Sequence, residues 1–123
     1  LSIRRQRQMC IRDRYLIPAY YKKADFMVLL RESNRKSMVE FPTKFAELMT
    51  VGVPVITQET SDLTKHVING KTGFLVEGYD YESMLFTLRS SILTVRKEDV
   101  EEMKRYVRSA NSAFDWHSHI MDF

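Results

Sequence analysis

FPTKFAELMTVGVPVIT, Phe41 to Thr57, is the stretch from which the rest of the chain can be placed. It reads as a loop, a helix, a glycine stop and a buried strand. Proline is tolerated at the first helical position, where the N–H it lacks has no intrahelical partner, so Pro42 predicts a helix running to Val51. Gly52 ends that helix. The apolar residues that follow predict a strand from about Pro54 to Gln58.

Working outward, ADFMVLL at Ala24 to Leu30 predicts a strand from about Asp25 to Leu30, and its continuous apolar run suits a parallel strand covered on both faces. Tyr15 to Lys23 reads as a short amphipathic helix leading into it, and Arg31 to Glu40 as a polar loop at its carboxyl end. Thr60, Ser61 and Asp62 give capping signals for a helix through Val67. Asn69-Gly70 and Thr72-Gly73 mark a tight turn or hairpin, followed by a short strand from Phe74 to Val76. Asp80 opens a helix with an apolar stripe at Met84, Leu85, Leu88, Ile92 and Leu93. Glu98 to Asn111 carries another stripe at Val100, Met103, Val107 and Ala110, and Asp115 can cap a last helix. Strands alternating with helices predict an α/β parallel sheet, with the loops after the strands opening on one crevice. The aromatic rings of Tyr20, Tyr21, Phe26 and Phe45 read as core.

The helix start beside Pro42 is the chemically suggestive feature. The N–H groups of Thr43, Lys44 and Phe45 point out of it, with the positive end of the helix dipole behind them. Such a terminus suits a phosphate. Glu47 lies one turn on, on the face of Thr43 and Lys44, and is an acceptor-only group suited to sugar hydroxyls. Each residue also has a plainer reading. Glu47 and Lys44 can form a surface pair worth little, and Arg31, Arg35 and Lys36 can be no more than a solvated basic loop. Taken together, a phosphate seat beside a hydroxyl-binding carboxylate between two strands points to a nucleotide-sugar site.

The order of the motifs is more specific than any one of them. ADFMVLL, EFPTKFAELM at Glu40 to Met49, GVPVI at Gly52 to Ile56, HVINGKTGFLV at His66 to Val76 and FDW at Phe114 to Trp116 follow one another. Over about Tyr15 to Phe123 the chain resembles the donor-binding half of the GT-B glycosyltransferases, specifically the retaining enzymes of family four. The resemblance implies an α/β fold, a partial Rossmann-like parallel sheet with flanking helices forming the C-terminal half of a GT-B fold. It implies transfer of a sugar from a nucleotide-sugar donor to the hydroxyl of a glycan or lipid-linked acceptor. No cofactor is implied beyond the donor as substrate.

In that family two glutamates eight positions apart flank the loop and helix start, and backbone amides between them hold the diphosphate. Glu47 matches the second, which binds the ribose. Val39 stands at the place of the first, and Glu40 where the family usually has glycine. A branch carrying Phe-Pro-Thr-Lys also does without the first glutamate. The donor-binding set implied is therefore Phe41, Pro42, Thr43, Lys44 and Glu47, with Arg31 and Arg35 as candidates for phosphate or acceptor contact and no catalytic residue assigned. A carboxylate at Glu40 beside a diphosphate would be repelled by it unless the side chain turns away.

Arg4 to Arg14, RRQRQMCIRDR, fits codon by codon the translation of a common transposase-type sequencing adapter. Residues 1–14 are accordingly set aside as adapter-derived, leaving 15–123 as a partial nucleotide-sugar-binding domain. The segment holds five arginines and one aspartate, so the formal +3 of the whole chain becomes −1 without it. The sequence pI of about 9.1 then says nothing of nucleic acid. Cys10 goes with it, and a cysteine-free remainder fits a cytosolic protein; a peripheral place at the inner membrane face is a further expectation.

An adapter running into Tyr15 further implies a parent whose N-terminal domain and first strands are missing here, and a fragment inactive by itself. Loss of those strands would leave an unpaired sheet edge. That predicts aggregation or a molten state, which a sharp, reversible melt would contradict. A non-catalytic nucleotide- or phosphosugar-binding α/β module is the alternative function. His117 and His119 lie two apart on different sides of any helix and lack a completing carboxylate, which argues against a metal.

Overall fold

Val55–Gln58 forms a strand buried along its whole length, and the molecule is built around it. The computed structural model describes residues 16–110. The adapter-like segment, the FDW motif and the expected helix after Asp115 lie outside them. In chain order the elements are α1 (Ile17–Lys23), β1 (Met27–Leu29), α2 (Arg35–Val39), α3 (Thr43–Val51), β2 (Val55–Gln58), a 3-10 turn (Leu63–Lys65), β3 (Gly73–Val76), α4 (Tyr81–Thr94) and α5 (Lys97–Ser109).

The sheet has the order β1-β2-β3 and is parallel throughout, as expected of a Rossmann-like α/β fold. Met27, Val55 and Gly73 stand in one row across it, and Val28, Ile56 and Phe74 in the next. Because side chains alternate along a strand, these two rows face opposite ways. Met27, Leu29, Val55 and Leu75 join the main core, with Phe45, Leu48 and Met49 of α3, Val53, Leu63, Val67 and Val107 of α5. Tyr21 of α1 packs against the same cluster. On the opposite face α4 packs against β3.

Two glycines hold this arrangement. Gly52 stops α3 in the left-handed region at φ 85°, and its N–H and that of Val53 bond the carbonyl of Leu48 at 3.0 and 2.9 Å. Gly73 is the first residue of β3, and a Cβ there would lie 1.9 Å from the carbonyl oxygen of Val55. Only hydrogen fits so close a strand approach. The expectation that Gly73 is a turn residue is thus corrected.

Several further expectations are corrected. The polar stretch Arg31 to Glu40 contains a helix, α2, capped reciprocally by Asn34 and Ser37. The helix expected through Val67 is one 3-10 turn: Asp62 gives no side-chain cap, its carboxylate being drawn to Lys65 at 2.8 Å. That contact holds Asp62 below the ordinary carboxylate value of 3.8. Of the tight turn or hairpin expected around residues 69–73, the turn is present, the Lys71 and Thr72 N–H groups bonding the Ile68 carbonyl at 3.0 Å, and the hairpin is not, since β3 runs parallel to β2; Asn69 Oδ1 accepts the Leu75 N–H at 2.8 Å.

The face opposite the core is not fully covered. Val28 is 42% exposed, and the apolar stripe of α4 is half-buried only at Met84, Leu85 and Leu88, with Ile92 and Leu93 exposed. Tyr20 is exposed as well, and Ala110 lies at the exposed end of α5. On that helix Val100, Met103 and Val107 are buried as expected.

Candidate functional site

The carboxyl end of β1, the 31–42 segment and the start of α3 enclose a cleft of about 330 Å³, lined by Leu29, Leu30, Arg31, Glu40, Phe41, Pro42, Thr43 and Lys44. It lies where a doubly wound sheet holds its ligands. Pro42 precedes the first helical residue in extended backbone, φ −74° and ψ 113°, so α3 starts one position later than expected. The Phe45 N–H is taken by the Pro42 carbonyl at 2.9 Å, which corrects its assignment as an outward donor. No side chain caps α3, and the N–H groups of Thr43 and Lys44 have no acceptor among the described residues. A helix start with two open donors, backed by the dipole, favours an anion.

Phe41 owes its position to ring packing. Its centroid lies 5.8 Å from that of Phe45, edge to face, and 5.8 Å from His66 in the same manner. Phe45 is fully buried, so this trio ties the loop before α3 to the core. His66, at the end of the 3-10 turn, is thereby a positioning residue that only the tertiary structure identifies.

Glu47 is exposed on α3 and lines a neighbouring groove of about 390 Å³ with Ile17, Pro18, Tyr21, Ala46, Thr50 and Val51. Sequence spacing places it on the face of Thr43 and Lys44, but those two open on the first cleft and Glu47 on the second. No ion pair joins Glu47 to Lys44 among the described residues, so the plain surface-pair reading is not what holds it.

Arg31 lies in the wall between the first cleft and another of about 440 Å³, lined by Leu30, Arg31, Glu32, Ser33, Gln58, Tyr79 and Met84. Its N–H bonds Gln58 Oε1 at 2.8 Å, and its Nη1 donates to the Glu40 carbonyl at 2.9 Å. The loop after β1 is therefore tied to the last residue of β2. Arg35 stands exposed on α2 and lines neither cleft. The sequence reading missed Gln58 and Tyr79, whose hydroxyl donates to the Glu59 carbonyl at 2.6 Å. For Gln58 a signal existed: a long polar side chain ending a buried strand needs a partner. Tyr79 carried none.

Among the described residues no group of three His, Cys, Asp or Glu is placed to hold a metal ion, and no helix is long and apolar enough to cross a membrane. No curated protein and no solved structure shows a significant match to the chain. The family model described as glycosyl transferases group 1 matches residues 9–110, which takes in the sheet, the 31–42 segment and both clefts beside α3. The chain therefore belongs to the group 1 glycosyl transferases.

Proposed function

We propose that this chain supplies donor-side contacts for transfer of a sugar from a nucleotide-sugar to an acceptor hydroxyl, as part of a retaining GT-B enzyme of family four. The reading rests on one observation above the others: within the family match, an uncapped helix start opens into a cleft at the carboxyl end of a parallel strand. The N–H groups of Thr43 and Lys44 would hold the diphosphate, with the Lys44 ammonium adding charge. Pro42 sets the start of the helix, and Phe41 fixes the loop against Phe45 and His66. Glu47, in the adjoining groove, would take hydrogen bonds from the ribose hydroxyls. Donors fixed before the reaction stabilise the departing nucleoside diphosphate without reorganising, and this is the largest contribution such a lobe can make.

Calorimetric titration of the chain with nucleoside diphosphates and with inorganic pyrophosphate tests this. Glu47→Ala is expected to weaken a nucleoside diphosphate about tenfold, the loss of charge-assisted hydrogen bonds, and leave pyrophosphate unchanged. Lys44→Ala should weaken both. Equal binding of nucleoside diphosphate by the parent chain and Glu47→Ala would remove Glu47 from the site.

A further inference from the structure

Glu40 is a carboxylate in the lining of a cleft suited to anions, one residue before Phe41. Its Oε2 lies 3.6 Å from Arg31 Nη2 and 3.9 Å from Lys36 Nζ. The two partners are held very differently. Arg31 is fixed by contacts that do not involve the Glu40 side chain. Its own N–H is bound to Gln58, a buried residue, and its Nη1 to a backbone carbonyl. The Glu40 side chain is more than half exposed, and its separations exceed the 2.7–2.9 Å of a direct charge-assisted hydrogen bond. The guanidinium is thus pre-set and the carboxylate loosely seated on it. Both line the cleft onto which Thr43 and Lys44 open.

Resting on the donor reading, we propose that Glu40 is an internal stand-in for the donor's diphosphate. Its carboxylate occupies Arg31 and Lys36 while the cleft is empty, and an entering nucleoside diphosphate displaces it and takes over Arg31 Nη2. The displacement cost is common to every anion, so it sets a threshold rather than a preference. A singly charged anion that reaches only Arg31 gains little over the carboxylate it replaces. A diphosphate that also reaches the Thr43 and Lys44 N–H groups gains enough to displace it. Glu40 therefore sets an affinity threshold that keeps weakly bound small anions out of the seat. It also removes the conflict of a carboxylate beside a diphosphate, because on displacement the side chain swings to solvent.

The test is calorimetric titration of the 123-residue chain with inorganic pyrophosphate and with acetate, at low and high salt. Glu40→Gln is expected to bind pyrophosphate about three- to tenfold more tightly and to take up acetate that the parent chain refuses, from loss of a competing charge. The gain should shrink as salt screens it. In the Glu40→Gln background, Arg31→Met should abolish the gain, a non-additive pair. Unchanged or weaker pyrophosphate binding by Glu40→Gln, with the parent chain binding normally, overturns the stand-in and leaves the donor reading intact. Absence of pyrophosphate binding by both overturns the stand-in and the diphosphate seat together. Glu40 is exposed, so its variant is expected to fold as the parent does, which circular dichroism checks before titration.

Discussion

Val55 and Ile56 are neighbours on β2, both fully buried, yet they face unlike surroundings. Val55 points into the layer of α1, α3 and α5, where Phe45, Leu48, Val53 and Val107 are also fully buried. Ile56 points to the other face, in the row Val28–Ile56–Phe74, where α4 packs against β3 but leaves Val28 open. A parallel sheet is ordinarily covered on both faces. Here one face carries the packing, and the site depends on that face: Phe41, which precedes the helix start, is held by Phe45 and His66. The half-covered face keeps Phe86 74% and Leu93 77% exposed on α4, and it touches the cleft beside α3 through Gln58, whose side chain holds Arg31 in the wall.

The largest effect that separates the faces is expected from Phe45→Ala. It removes a fully buried ring and the support of Phe41, and should cost about 3–5 kcal/mol in urea unfolding. A loss under about 1 kcal/mol would show that the closed face is not the stabilising one. Gly73→Ala comes next. Its methyl meets the Val55 carbonyl and forces β3 from β2, for an expected cost of about 1–3 kcal/mol.

Thr60 is fully buried and its hydroxyl has no hydrogen-bond partner among the described residues. Thr60→Val should therefore raise stability by about 1 kcal/mol, and a loss would reveal a partner for that hydroxyl. Val28→Thr on the open face should change stability by less than about 0.5 kcal/mol while lowering binding of a hydrophobic dye. A large loss would mean that this face is covered in solution.

The smallest effect is a pH dependence at the helix starts. The Ser83 N–H, at 2.9 Å, and hydroxyl hold Asp80 below its ordinary value of 3.8, and Arg96 does the same for Asp99. A carboxylate lowered by folding stabilises above its unfolded value and loses that contribution as pH falls through the folded one. Amide protection in the first turns of α4 and α5 should thus decline only below about pH 4, and decline near neutral pH would assign it to other groups.

Legibility in the sequence followed the range of the interactions. Asn34 with Ser37 three residues on is a readable capping pair, masked by surrounding charges that suggest a loop. Lys104 was readable in part. It falls on the stripe of Val100, Met103 and Val107, yet its ammonium meets Asp25, 79 positions away, at 3.4 Å. The site shows the same division. Thr43 and Lys44 at the cleft follow from Pro42 and the helix pattern, whereas the separation of Glu47 into the groove beside α1 depends on how α1 packs against α3.

By itself the sequence determined α3, its stop at Gly52, the buried strand after it and the α/β alternation, because these rest on dihedral preference and side-chain period within a few residues. The tertiary structure alone decided that Gly73 must lack a side chain, that His66 steadies Phe41, and that Arg31 is held between Gln58 and Glu40. Each of those is a contact between segments distant along the chain. Local preference carries no term for it, and it exists only once the sheet has brought the segments together.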